Sequence, residues 1–253
     1  MTSPQQLPPA DDFYLAAHDG IGGRALLSPP VLGVGLAATL LGELLFWRRL
    51  QLVPSPAAGS LTGASLPGGF SAGGSGPGGF SAGASLSGGS GPAAAGFLLR
   101  VIDSQPTGDP ASSAVLRRLV ETPGPHEVRQ WIRDLSAGFA TDVVEHRLTI
   151  TGVLRRETKR RLLTSNTSLV FTDPRTPGEP AGRIRTKLSY NEPLDTADLM
   201  VAGLFLATGL DQLLFDTLNP RDRARLSDQF RRSLPQPLHH LVSAAREAAL
   251  VTT

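Results

Sequence analysis

A seventeen-residue run from Val31 to Trp47 is apolar on every side, with one charge, Glu43, inside it. A surface element cannot carry such a run, which belongs in a protein core or a bilayer. It falls short of the ~20 residues that cross a bilayer, and a carboxylate inside a span is costly. It therefore reads as a core helix around which a domain is built. Ser28-Pro29-Pro30 supplies a cap-then-proline entry, and Arg48-Arg49 suit a helix C-terminus. Leu199 to Leu214, interrupted by Asp211 and glycine and preceded by Asp198, reads as a second core helix.

The 253 residues, 40% hydrophobic and 18% charged, suffice for one sizeable core. With no cysteine there is no disulfide framework and no thiolate metal site, which fits a reducing, intracellular compartment. Met1-Thr-Ser-Pro-Gln-Gln is not a basic leader followed by an apolar run, so no secretory signal is expected.

Gly and Pro total 49 and are concentrated between Pro54 and Gly96. That tract repeats Pro67-Gly-Gly-Phe-Ser-Ala-Gly at Pro77, has almost no charge, and reads as a disordered Gly/Ser-rich loop. An insertion this long costs little, because closure entropy grows only logarithmically with length. Before it lie a flexible N-terminus (1–11), a short helical or strand-like run (Phe13 to Ala17) and the apolar helix.

After it come a strand (Phe97 to Ile102), a turn at Gln105-Pro-Thr-Gly-Asp and a helix with Val115, Leu116, Leu119 and Val120 on one side. A second helix places Val128, Trp131, Ile132 and Leu135 on one stripe, and a third runs from Thr141 to Leu148 and stops at Gly152. A β-hairpin is expected next, with arms Val153–Leu163 and Ser168–Phe171 and a turn at Asp173-Pro-Arg-Thr-Pro-Gly. Asn219-Pro-Arg-Asp and Pro235-Gln-Pro open two further helices.

Three patterns that resemble chemistry have plainer explanations. Ser71 and Ser81 both sit in G-x-S-x-G, but inside the repeat, without the strand and helix that a nucleophile elbow requires. Gly33-Val-Gly35-Leu-Ala-Ala38 resembles a dinucleotide fingerprint, yet no acid follows about 20 residues later, so close helix packing explains it better. His18, His126, His146, His239 and His240 form no zinc-binding spacing. No catalytic residue, metal site or cofactor is expected, and the chain reads as a non-enzyme.

Charge is the remaining signal. Formal net charge is only +2, but Arg155 to Lys187 holds nine Arg/Lys against three Asp/Glu. Only Lys159 and Lys187 among the 24 basic residues are lysine, and arginine favours bidentate contact with phosphate. Arg155, Arg156, Lys159, Arg160 and Arg161 on the first arm are expected to face Arg183, Arg185 and Lys187 beyond the turn. Near an anionic membrane each such residue contributes about 1 kcal/mol, so the patch is a candidate lipid-binding surface, with Leu169, Val170 and Phe171 as candidate membrane-contact or self-association residues.

Glu43-Leu-Leu-Phe-Trp-Arg-Arg-Leu-Gln-Leu, Ser104-Gln-Pro-Thr-Gly-Asp, Val128-Arg-Gln-Trp-Ile-Arg-Asp-Leu-Ser, Gly152-Val-Leu-Arg-Arg-Glu and Phe171-Thr-Asp-Pro-Arg-Thr-Pro together resemble the Golgi phosphoprotein 3 family, over 12–253 apart from the 54–96 insertion. The resemblance implies a mainly α fold: a single helical domain with a central apolar helix and a protruding β-hairpin. It also implies a cytoplasmic, non-enzymatic protein peripherally associated with a membrane, binding phosphatidylinositol 4-phosphate and self-associating through the hairpin. Eukaryotic members hold the headgroup with a tryptophan and three arginines. The matching positions here are Ser28, Ala37, Gly138 and Thr141, so anionic-lipid binding would fall to the basic hairpin. The almost exclusive use of arginine and the Ala/Gly bias fit a bacterial member. The competing expectations are a winged-helix nucleic-acid binder, from the helix–helix–hairpin order, and a protein adaptor or homo-oligomer.

Overall fold

The computed structural model describes residues 7–20, 23–55, 96–122, 124–161, 164–216 and 218–252, and leaves aside the side chains of 158–161, 164–168, 214 and 215. Among these residues the fold is mainly α, with ten helices and two two-stranded antiparallel sheets.

Helix α2 (Pro29–Phe46) is the expected core helix, and everything from Val31 to Leu44 is buried. It is the one described helix long and apolar enough to cross a bilayer, but 78% of it is buried inside the protein. Around it pack α1 (Pro9–Ala16), α3 (Pro110–Glu121), α4 (Val128–Ser136), α5 (Phe139–Ile150), α7 (Thr196–Thr208) and α10 (Gln236–Thr252). Small residues on α2 set these distances. A Cβ on Gly33 would strike the Ser136 carbonyl, and one on Gly35 would overlap the Phe13 ring. The glycine pattern therefore works as a packing surface, as its sequence context indicates.

The expected stripe of α4 is buried at all four positions, Val128, Trp131, Ile132 and Leu135. On α3, Val115, Leu116 and Leu119 are buried together with Ala111 and Ser112, but Val120 is 51% exposed. The second core helix ends earlier than its composition implies. Gly209 adopts φ 85°, a left-handed C-cap that separates α7 from α8 (Asp211–Phe215). Asn219 caps α9 (Pro220–Ser233) by accepting the Asp222 amide at 2.9 Å.

Strand β1 (Leu50–Pro54) was not expected. It pairs with β2 (Phe97–Val101) from Leu50↔Val101 to Pro54↔Phe97, and the Ser55 amide donates to the Gly96 carbonyl at 2.8 Å. The Gly/Ser tract is thus inserted where a hairpin turn would be. Its expected disorder and both G-x-S-x-G copies lie outside the described residues. The expected N-terminal boundary moves as well: Pro9, Ala10 and Asp11 belong to α1, and Asp11 is 1% exposed.

Candidate functional site

Gly152 (φ 77°) ends the turn after α5 and starts the basic hairpin, β3 (Leu154–Arg161) with β4 (Thr164–Phe171). The register runs from Leu154↔Phe171 to Arg161↔Thr164, so the second arm is longer than its apolar residues suggest. At its base Leu154 is buried, Leu169 and Phe171 pack half-buried on the core, and the Phe171 ring stands edge-on to His18 at 5.7 Å. Of the three expected contact residues, only Val170 alternates to the other face, in register with exposed Arg155. Strand period puts Lys159 and Arg161 in step with Arg155, and Arg160 in step with Arg156.

Arg156 borders a groove with Asp142, Glu145, His146, Thr149 and Leu169. Glu145 is raised above the usual carboxylate range by burial, an effect partly offset by the hydrogen bond it accepts from the Tyr14 hydroxyl at 3.0 Å.

The three other candidate basic residues are not on the hairpin, which corrects the expected facing arrangement. After the turn and a single 3-10 turn (Thr176–Gly178), Pro180 opens α6 (Glu179–Ser189), and Arg183, Arg185 and Lys187 are helical residues. The period of Ala181, Ile184 and Leu188, all buried, explains why this segment is a helix. Arg183 donates to Asp12 at 2.5 Å and to Asp198 at 2.9–3.0 Å, and Lys187 donates to Asp198 at 2.5 Å and Asp195 at 3.2 Å. These two half-buried cations are engaged by the protein's own carboxylates.

A buried charged site among the described residues was missed by sequence reasoning. Arg147, 3% exposed, lies on the buried stripe of α5 between Val144 and Leu148. Its guanidinium donates from Nε to Asp11 Oδ1 at 2.8 Å, from Nη1 to Glu43 Oε2 at 3.2 Å and to Asp109 Oδ2 at 2.9 Å. Glu43 also accepts the Ala10 amide at 2.9 Å and the Ser112 hydroxyl at 2.7 Å. Asp109 caps α3 by accepting the Ser112 amide at 2.7 Å. Burial pulls the guanidinium down, but Glu43, Asp11 and Asp109 more than compensate and hold it above its ordinary value. One arginine thus ties α1, α2, α3 and α5 together. The available signal was Glu43 itself, since a charge inside an apolar run requires a buried partner.

The positions that the family resemblance marks lie on α2 and at the start of α5. Ser28 and Gly138 are the exposed N-caps of α2 and α5, Thr141 is half-buried, and Ala37 is fully buried. None offers a charged side chain to a headgroup. Among the described residues no group of His, Asp and Glu has the arrangement of a metal site.

The molecule is therefore a helical scaffold locked by buried ion pairs, from which a basic β-hairpin extends. The Golgi phosphoprotein 3 (GPP34) family model matches residues 10–250, and the chain belongs to that family. No curated protein matches it.

Proposed function

We propose that the protein is a non-enzymatic, peripheral membrane protein that binds anionic lipid through the β3 strand of its hairpin. The observation that carries this reading is the separation of the basic residues. Arg183 and Lys187 are tied to internal carboxylates, whereas Arg155, Arg156, Lys159, Arg160 and Arg161 lie together on one strand. Family membership supports a lipid partner, with phosphatidylinositol 4-phosphate the first to test. Without charge at Ser28, Ala37, Gly138 and Thr141, binding here depends on summed charge more than on one headgroup, each arginine or lysine contributing about 1 kcal/mol.

Co-sedimentation with vesicles tests this. Binding is expected to vesicles containing phosphatidylinositol 4-phosphate or cardiolipin, to be absent on neutral vesicles and to weaken with salt. Absence of binding to any anionic vesicle at low salt overturns the proposal. Retention on duplex DNA without vesicle binding would replace it by the nucleic-acid reading.

A further inference from the structure

We propose that the folded protein stores a proton on Asp11, at the buried Oδ2 oxygen that no donor reaches, and that it is thereby more stable at acidic than at neutral pH.

The geometry is specific. Both Nε and Nη2 of Arg147 approach the same oxygen of Asp11, Oδ1, each at 2.8 Å. The guanidinium does not straddle the carboxylate, and Oδ2 is left buried with no hydrogen-bond partner. Around it the formal charges do not balance: Asp11, Glu43 and Asp109 share one cation, Arg147. Glu43 has donors on both oxygens and Asp109 on Oδ2, so the bare oxygen of Asp11 is where a proton relieves the excess negative charge.

The other elements packed on α1 do not supply a missing cation. On its other flank Asp12 takes Arg183 of α6, which is shared with Asp198 of α7, and Lys187 goes to Asp198 and Asp195. Tyr14 of α1 donates to Glu145 of α5, the His18 ring lies tilted against Tyr14, and the Thr176–Gly178 turn has no titratable side chain. Burial pushes the Asp11 carboxyl up to about 7, with Arg147 pulling the other way and Glu43 and Asp109 adding to the rise.

The consequence for stability has a definite sign. The folded carboxyl binds its proton more tightly than the unfolded one, so the stabilisation is complete below about pH 4 and is lost as pH rises through about 7. Burial raises Asp12 to about 6, which adds a smaller effect in the same direction. Burial lowers His18, so its contribution has the opposite sign and is lost as pH falls below its unfolded value near 6.5. Comparison with a variant is therefore needed to isolate Asp11.

The experiment is urea unfolding of the full chain between pH 5 and 8.5, for wild type, Asp11→Asn and Asp12→Asn, together with the carboxyl 13C titration of Asp11 in the wild type. At pH 6 wild-type unfolding is expected to release about one more proton than that of Asp11→Asn. The ratio of their unfolding constants then changes about tenfold per pH unit between pH 5 and 6.5 and levels off above about 7.5. The Asp11 carboxyl signal is expected to titrate near 7. Equal proton release by wild type and Asp11→Asn, or a carboxyl midpoint below about 5, overturns the proposal. The wild-type titration decides the matter alone if Asp11→Asn does not fold.

Discussion

Arg147 and Arg155 are eight positions apart, and the two side chains are treated in opposite ways. Arg147 is 3% exposed and surrounded by Asp11, Glu43 and Asp109, whereas Arg155 is exposed on a strand that leaves the core. The same contrast divides the basic stretch itself: Arg155 and Arg156 on β3 are exposed, while Arg183 and Lys187 on α6 serve Asp12 and Asp198. A patch of charge counted along the chain is thus two things in space, a basic strand, proposed above to meet anionic lipid, and a set of clamps on the protein's own carboxylates. Removing a clamp should cost stability without affecting membrane charge, and removing the surface should do the reverse.

The largest expected effect is Arg147→Met. It leaves the Glu43 and Asp109 carboxylates and the Asp11 carboxyl without their cation, and breaking a buried ion pair from one side costs about 3–5 kcal/mol, enough to unfold much of the protein. Urea denaturation measures it, and a loss below about 1 kcal/mol would show that the buried centre is no clamp. Arg183→Met should cost less, about 2 kcal/mol, because that side chain is 28% exposed and Lys187 still serves Asp198. Arg160→Glu/Arg161→Glu inverts the pattern. Membrane affinity should fall by at least about 2 kcal/mol, roughly 30-fold, while stability stays within about 0.5 kcal/mol. Vesicle binding beside a thermal melt reads both, and a coupled loss of the two would erase the distinction between surface and clamp. Asn219→Ala calibrates the small end: loss of the α9 cap should cost about 1 kcal/mol in the same melt and leave vesicle binding unchanged.

Much of this fold was legible from local pattern. The apolar run predicted α2, the stripe from Val128 to Leu135 predicted α4, and Asn219-Pro predicted the start of α9, because periodicity and capping are properties of neighbouring residues. Strand β1 was not legible, since its partner lies across the 56–95 tract and pairing over such a distance leaves no local trace. Helix α6 was missed for a related reason. Its charges drew attention to a basic arm, while the four-residue spacing of Ile184 and Leu188 recorded a helix face.

The sequence by itself determined the class of fold, the family and the density of arginine after Gly152, all of which follow from residue type, order and spacing. Only the tertiary structure decided which charges are free. Asp11, Glu43, Asp109 and Arg147 are spread over 137 residues, and Asp12, Arg183 and Asp198 over 187. Burying each carboxylate is costly unless a cation meets it, and that meeting is set by how α1, α2, α5, α6 and α7 pack. The basic stretch from Arg155 to Lys187 is accordingly divided by the fold: on the strand Arg155 and Arg156 are exposed, and on the helix Arg183 and Lys187 pair with the buried carboxylates of Asp12 and Asp198.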